Sequence, residues 1–223
     1  NLLTIGLSNV TAFVGFGTVG LNLTGVDLAI ALWSENVQTN PRRWTSVMGN
    51  VAGATLAGVT DLTLTASGVG IVVNKKASDD TVVDYVLGAN ETNVTSLMVP
   101  TSSSASDDVT FAIDDLNGDY VRVTGSAEID LFGVATISGG FGVEKKTGQN
   151  LYISGAAEAN VLVANANLLT IGLSNVTAFV GFGTVGLNLT GVDLAIALWS
   201  EVGGTPRKWT SVMGNVAGAT LAG

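Results

Sequence analysis

The side chains best suited to chemistry lie in two short stretches. The first is acidic. Asp114-Asp115-Leu116-Asn117-Gly118-Asp119 sets oxygen-bearing side chains at Asp115, Asn117 and Asp119, the alternate spacing with which a calcium loop opens. Tyr120 then stands where such a loop carries glycine, and no glutamate occupies its twelfth position. Asn117-Gly118 between FAID and YVRV is equally a two-residue hairpin signal, so the stretch reads either as a weak calcium site or as a plain turn. Asp79, Asp80, Asp107 and Asp108 could join such a site only if the fold brings them near.

The second stretch is aromatic and basic. Trp33 and Trp44 bracket a polar loop, and the pair returns as Trp199 and Trp209. Indole faces beside such a loop can stack on a sugar, and Arg42, Arg43, Arg207 and Lys208 could lie over them as cation–π partners. The same residues can simply close the neck of a hairpin as a cross-strand pair.

Catalysis has little else to draw on. The chain has no His and no Cys, which removes the commonest general base, the commonest transition-metal ligand and any thiolate site. No G-x-S-x-G nucleophile turn occurs, and the carboxylates fall at turns and strand ends, leaving only a paired-carboxylate hydrolase as a formal route. The expectation is a protein without enzymatic activity. A net charge of −9 has the wrong sign for phosphate backbones or anionic lipid, so nucleic acid is not an expected partner. N-x-T sequons at Asn9, Asn22, Asn90, Asn93, Asn175 and Asn188 read as incidental in a chain rich in Asn and Thr.

The strongest signal is repetition. Asn1 to Glu35 recurs without change as Asn167 to Glu201, a period of 166 residues. NVQTNPRRW then becomes VGGTPRKW, one residue shorter, and both copies resume as WTSVMGNVAGATLAG, ending at Gly58 and Gly223. A change of length confined to one place marks an exposed loop between packed segments. The expected organisation is residues 1–58 as part of one unit, 59–166 as the remainder of that period and 167–223 as the start of the next. A much longer parent chain is expected.

Apolar residues at 47% with only 12% charged give a chain that folds, and period-two alternation gives an all-β fold. Val121, Val123, Ala127, Ile129 and Leu131 point one way, Phe132-Gly133 turns, and Ala135, Ile137, Phe141 and Val143 return. In three strands the parity slips by one at a small residue: at Ser8-Asn9, at Gly25 and at Ser67-Gly68. A β-bulge there restores the apolar side chains to one face. Leu151, Ile153, Gly155, Ala157, Val161 and Val163 keep one parity as in a strand, which would place the Gly and Ala at inward positions where another layer approaches closely. Ser78–Gly88 reads as a short helix or a distorted edge strand, and Pro100–Asp108 as a polar surface loop. No unbroken apolar run reaches the length of a membrane-spanning helix. The expected fold is therefore long, bent antiparallel strands, about eight to eleven per unit, in a meander sandwich or curled sheet.

NLLTIGLSNVTAFVG, GVDLAIALW and RVTGSAEIDLFGVATISG, in a long near-identical repeat, resemble the tandem β-units of giant bacterial surface and adhesin-like proteins. The resemblance implies an extracellular scaffold, filament or adhesive stalk whose partners are neighbouring repeats. The GGxGxDxUx motif of calcium-binding nonapeptide repeats is absent, so that family's parallel roll is not implied. The expectation is units packed end to end into a rod or filament. The alternative is a multivalent binding module for calcium or glycan.

Overall fold

A computed structural model describes residues 1–86, 97–104, 107–113, 118–155 and 160–223. Among them the chain runs β1 (Leu2–Phe16), β2 (Val19–Ser34), β3 (Arg43–Ala57), β4 (Leu62–Lys75), β5 (Met98–Val99), β6 (Val109–Thr110), β7 (Tyr120–Leu131), β8 (Ala135–Ile153), β9 (Val161–Phe182), β10 (Val185–Ser200) and β11 (Lys208–Ala222). The nine long strands form one antiparallel sheet in the order β1-β2-β3-β4-β7-β8-β9-β10-β11, while β5 and β6 pair separately. The expected all-β meander is present as a single broad sheet. No second large sheet faces it among the described residues, so the sandwich alternative is not what these residues form.

The parity slips are the bends that let the strands run long. Asn9, Gly25 and Gly68 all take positive φ, at 51°, 57° and 56°, and their copies Asn175 and Gly191 do the same. Register shifts lie beside Asn9 against β2 and beside Gly68 against β7. Strand β7 supplies the proof that the slips restore one face. Its alternation is unbroken, yet Leu131 and Ile129 pair with Leu62 and Leu64 on one side of the β4 bulge, while Val123 and Val121 pair with Ile71 and Val73 on the other. The bulges at the two asparagines are also clamped: the Asn9 amide donates to Asp27 Oδ1 at 2.8 Å, and the Asn175 amide to Asp193 Oδ1 at 2.9 Å. The sequons at Asn9 and Asn175 thus mark left-handed backbone, a conformation asparagine tolerates well.

Turns follow the hairpin rules. Phe132 and Gly133 both have positive φ, the signature of the turn whose twist matches the strands, and Val134 N donates to Leu131 O at 3.0 Å. The segment Leu151 to Val163 is not one strand. Leu151 pairs with Val163 and Ile153 with Val161 across the β8–β9 connection, so the preserved parity belongs to two facing strands.

Between β4 and β7 the described residues leave the sheet and lie over one of its faces. Ser78–Val86 is neither helix nor strand there. It turns at Ser78–Asp80 and then inserts Tyr85, 2% exposed, against Phe111 with ring centroids 4.9 Å apart, while Leu87 and Gly88 lie outside the described residues. Val99, Phe111 and Ile113 complete a compact core with Ala29 and Ala31 of β2 and Tyr120 of β7, flanked by Trp33, Met48 and Val72. The alanines are needed because a second layer lies directly on them; both are fully covered. Tyr85 Oη donates to Ser46 Oγ at 2.8 Å and accepts from Trp33 Nε1 at 3.0 Å; Ser46 and Asn74 beneath are buried and joined at 2.8 Å.

Following the cross-strand pairs from Ile5 through Ile30, Val47, Val73, Val121 and Lys145 leads to Leu169, the copy of Leu3. The second copy therefore continues the same sheet with an offset of two residues along the strand. The chain exposes 13443 Å². A compact protein of its mass would expose about 9,500 Å², and the excess belongs to a broad sheet covered in only one region.

Candidate functional site

The aromatic and basic residues do converge. Trp33 and Trp44 are cross-strand partners at the neck of the β2–β3 loop, as are Trp199 and Trp209 at the β10–β11 loop. The Arg42 guanidinium lies 5.1 Å from the Trp44 ring centre and that of Arg207 lies 5.3 Å from Trp209. Both arginines are also committed to a carboxylate. Arg42 Nε donates to Glu35 Oε1 at 2.8 Å, and the Arg42 amide donates to Glu35 Oε2 at 3.1 Å. In the second copy Arg207 Nε and its amide hold Glu201 at 3.1 and 3.0 Å. The Glu–Arg clamp thus survives a change of loop length. Sequence reasoning missed it, although the two end residues keep their identity while the loop between them changes.

In the first copy the overlying segment ties this loop down further. Arg42 Nη1 reaches Asp79 at 3.0 Å, and Trp44 Nε1 donates to Thr81 O and Oγ1, both at 3.1 Å. With Trp33 donating to Tyr85, both indoles are spoken for by protein groups. Arg43 is exposed and sits at the first position of β3 opposite Ser34.

Hydrogen bonds from Arg42 hold the Glu35 carboxyl below the usual carboxylate range, and those from Arg207 do the same for Glu201. A carboxyl depressed in the folded chain contributes stability above its unfolded value and loses it as pH falls through the folded value. Carbon-detected NMR titration should show both groups protonating below the ordinary glutamate range, and Arg42→Gln should return Glu35 toward it while leaving Glu201 in place.

Of the acidic stretch, Asp115 and Asn117 lie outside the described residues. Asp119 is described: its carboxylate accepts from Lys75 Nζ and the Lys76 amide, both at 3.0 Å, and its own amide donates to Thr147 Oγ1 at 2.7 Å. Burial works to raise its pKa, but these donors outweigh it and the net direction is down. Phe111–Ile113 is not the hairpin partner of β7, because β4 and β8 occupy both edges of that strand. The Phe111 amide donates instead to Leu97 O and the Tyr85 amide to Ile113 O. Among the described residues no group of three or more acidic side chains is placed to hold a metal. Among them, too, no helix is long and apolar enough to cross a membrane.

The larger features are surfaces rather than pockets. Ala29, Ser46 and Met48 lie under the overlying segment, whereas their copies Ala195, Ser211 and Met213 are exposed, Met213 at 77%. These copies line a shallow trough of about 490 Å³ with Arg122, Glu144 and Thr170. The opposite face carries rows of Leu, Ile and Val through all nine strands, ending in Arg43, Lys75, Lys145 and Lys208 at the loop end. No family model matches the chain, and neither curated proteins nor solved structures give a match.

Proposed function

We propose that the chain is a structural repeat of a large extracellular or cell-surface protein, in which successive units add strands to one continuous sheet and build a rod, filament or surface layer. The supporting observation is the β8–β9 ladder: the first strand of the second copy pairs along its length with the last strand of the first period. Strand addition of this kind needs no linker and has no natural stopping point, the behaviour of quasi-one-dimensional proteins. The resemblance to giant surface proteins supports the location. The role is mechanical, so no catalytic group is required.

Electron microscopy of a chain of three or more units tests it. Six long strands per period, spaced as β-strands are, predict an axial repeat of about 29 Å in unbroken density. Separate beads on flexible necks would overturn the continuous sheet and favour the multivalent binding stalk. A shift in melting temperature on adding calcium or sugars would likewise speak for binding, whereas a scaffold is indifferent to both.

A further inference from the structure

The sheet's two free edges are strands whose copies are seen fully paired elsewhere in the same chain. Leu2–Phe16 is identical to Leu168–Phe182 of β9, and each holds its following strand in matching register, Leu2 opposite Trp33 and Leu168 opposite Trp199. Both carry the bulge, with φ of 51° at Asn9 and 48° at Asn175. The outer edges of β1 and β9 therefore present the same backbone shape, yet β9 is joined there by β8 while β1 stands at the end of the sheet. Apart from its bulge, strand β1 lacks the usual protections of an edge: it is 15 residues long, with no charge and no proline.

The β8–β9 ladder shows what that edge selects. The register slips between Ser138 and Gly140, opposite the Ser174-Asn175-Val176 bulge. A Cβ on Gly139 would lie 2.6 Å from Val176 Cγ2 and 2.8 Å from Val176 Cα; one on Gly140 would lie 2.5 Å from Ser174 Oγ. The bulge protrudes toward both glycines: a side chain at Gly139 would meet the Val176 backbone, and one at Gly140 would meet the Ser174 hydroxyl. Gly139-Gly140 is the one Gly-Gly pair within a described strand, the other, Gly203-Gly204, lying in the β10–β11 loop.

We infer that the outer edge of β1 is a docking site for a strand of β8 sequence, ATISGGFGVEKK, supplied by a neighbouring unit. Transposed from β9, the register sets Ala135 opposite Val14, Ile137 opposite Ala12, Gly140 opposite Ser8, Phe141 opposite Leu7, Val143 opposite Ile5 and Lys146 opposite Leu2. Backbone hydrogen bonds supply the affinity and the glycine pair over the bulge supplies the selectivity, the two components of strand-addition recognition. The inference deepens the array reading by naming the strand and register of the joint.

The test adds a synthetic peptide spanning residues 135–146 to the chain and follows amide hydrogen exchange. Protection is expected at the β1 amides that point away from β2, with β11 unchanged, and replacing either glycine of the peptide by valine should weaken binding at least tenfold. Absence of protection, equal binding by the valine peptides, or protection at β11 would overturn the site. Failure here beside unbroken density repeating at about 29 Å in microscopy would remove this joint and leave the array; docking here with beaded images would remove the array and leave the joint.

Discussion

Gly6→Ala should loosen the overlying segment and cost about 2–3 kcal/mol, while the same change at its copy, Gly172→Ala, should stay within about 0.5 kcal/mol. A Cβ on Gly6 would sit 1.9 Å from Pro100 O and 2.8 Å from Pro100 C and Thr101 Cα. These are backbone atoms, so no side-chain rotation relieves the clash, and the span carrying Val99 must lift. At Gly172 the nearest atom is Gly142 O at 4.0 Å. Thermal melting with limited proteolysis between Ala77 and Tyr120 reads the difference. In a chain of several units, Gly172 should become as intolerant as Gly6, because a following unit would bring its own covering segment; continued tolerance there would count against repetition of the covered face.

Phe111→Ala should be the most damaging single truncation, at about 3–5 kcal/mol. Phe111 is 1% exposed and stacks on Tyr85, so its loss opens a void between the covering segment and Ala29 and Ala31. Urea unfolding should show the loss, and hydrogen exchange should place it in β2–β4 and β7, with β9–β11 serving as an internal reference. Tyr85→Phe probes the polar part of the same core. It leaves the Trp33 indole N–H without its acceptor and removes the donor to Ser46, which keeps its bond to Asn74, and should cost about 1–3 kcal/mol with the packing intact. Equal effects from the two substitutions would mean that the hydrogen bonds, rather than apolar burial, hold the segment down.

The sheet was legible in the sequence because its determinants are local. Alternation marks a strand, and a slip of parity at Asn9, Gly25 or Gly68 marks a bulge, since an extra residue must be absorbed where the backbone can turn left-handed. The same logic failed at Leu151–Val163, where a connection that preserves parity is invisible to a parity argument. The covering segment was hidden for a different reason. Tyr85, Val99, Phe111 and Ile113 follow no period because they are fixed by contacts with Ala29, Ala31 and Ser46, all distant in sequence. Trp33 and Trp44 were readable as a neck pair from their mirrored positions about the loop; their bonds to Tyr85 and Thr81 were not.

The two-residue offset between successive copies sets the geometry of any filament built this way. Each period would slide about 6.6 Å along the strands while advancing about 29 Å across them, a slope of about 13°. Hydrogen bonds between strands would then lean from the long axis by that angle. In a fibre diffraction pattern the reflection near 4.8 Å should split to either side of the meridian rather than lie on it.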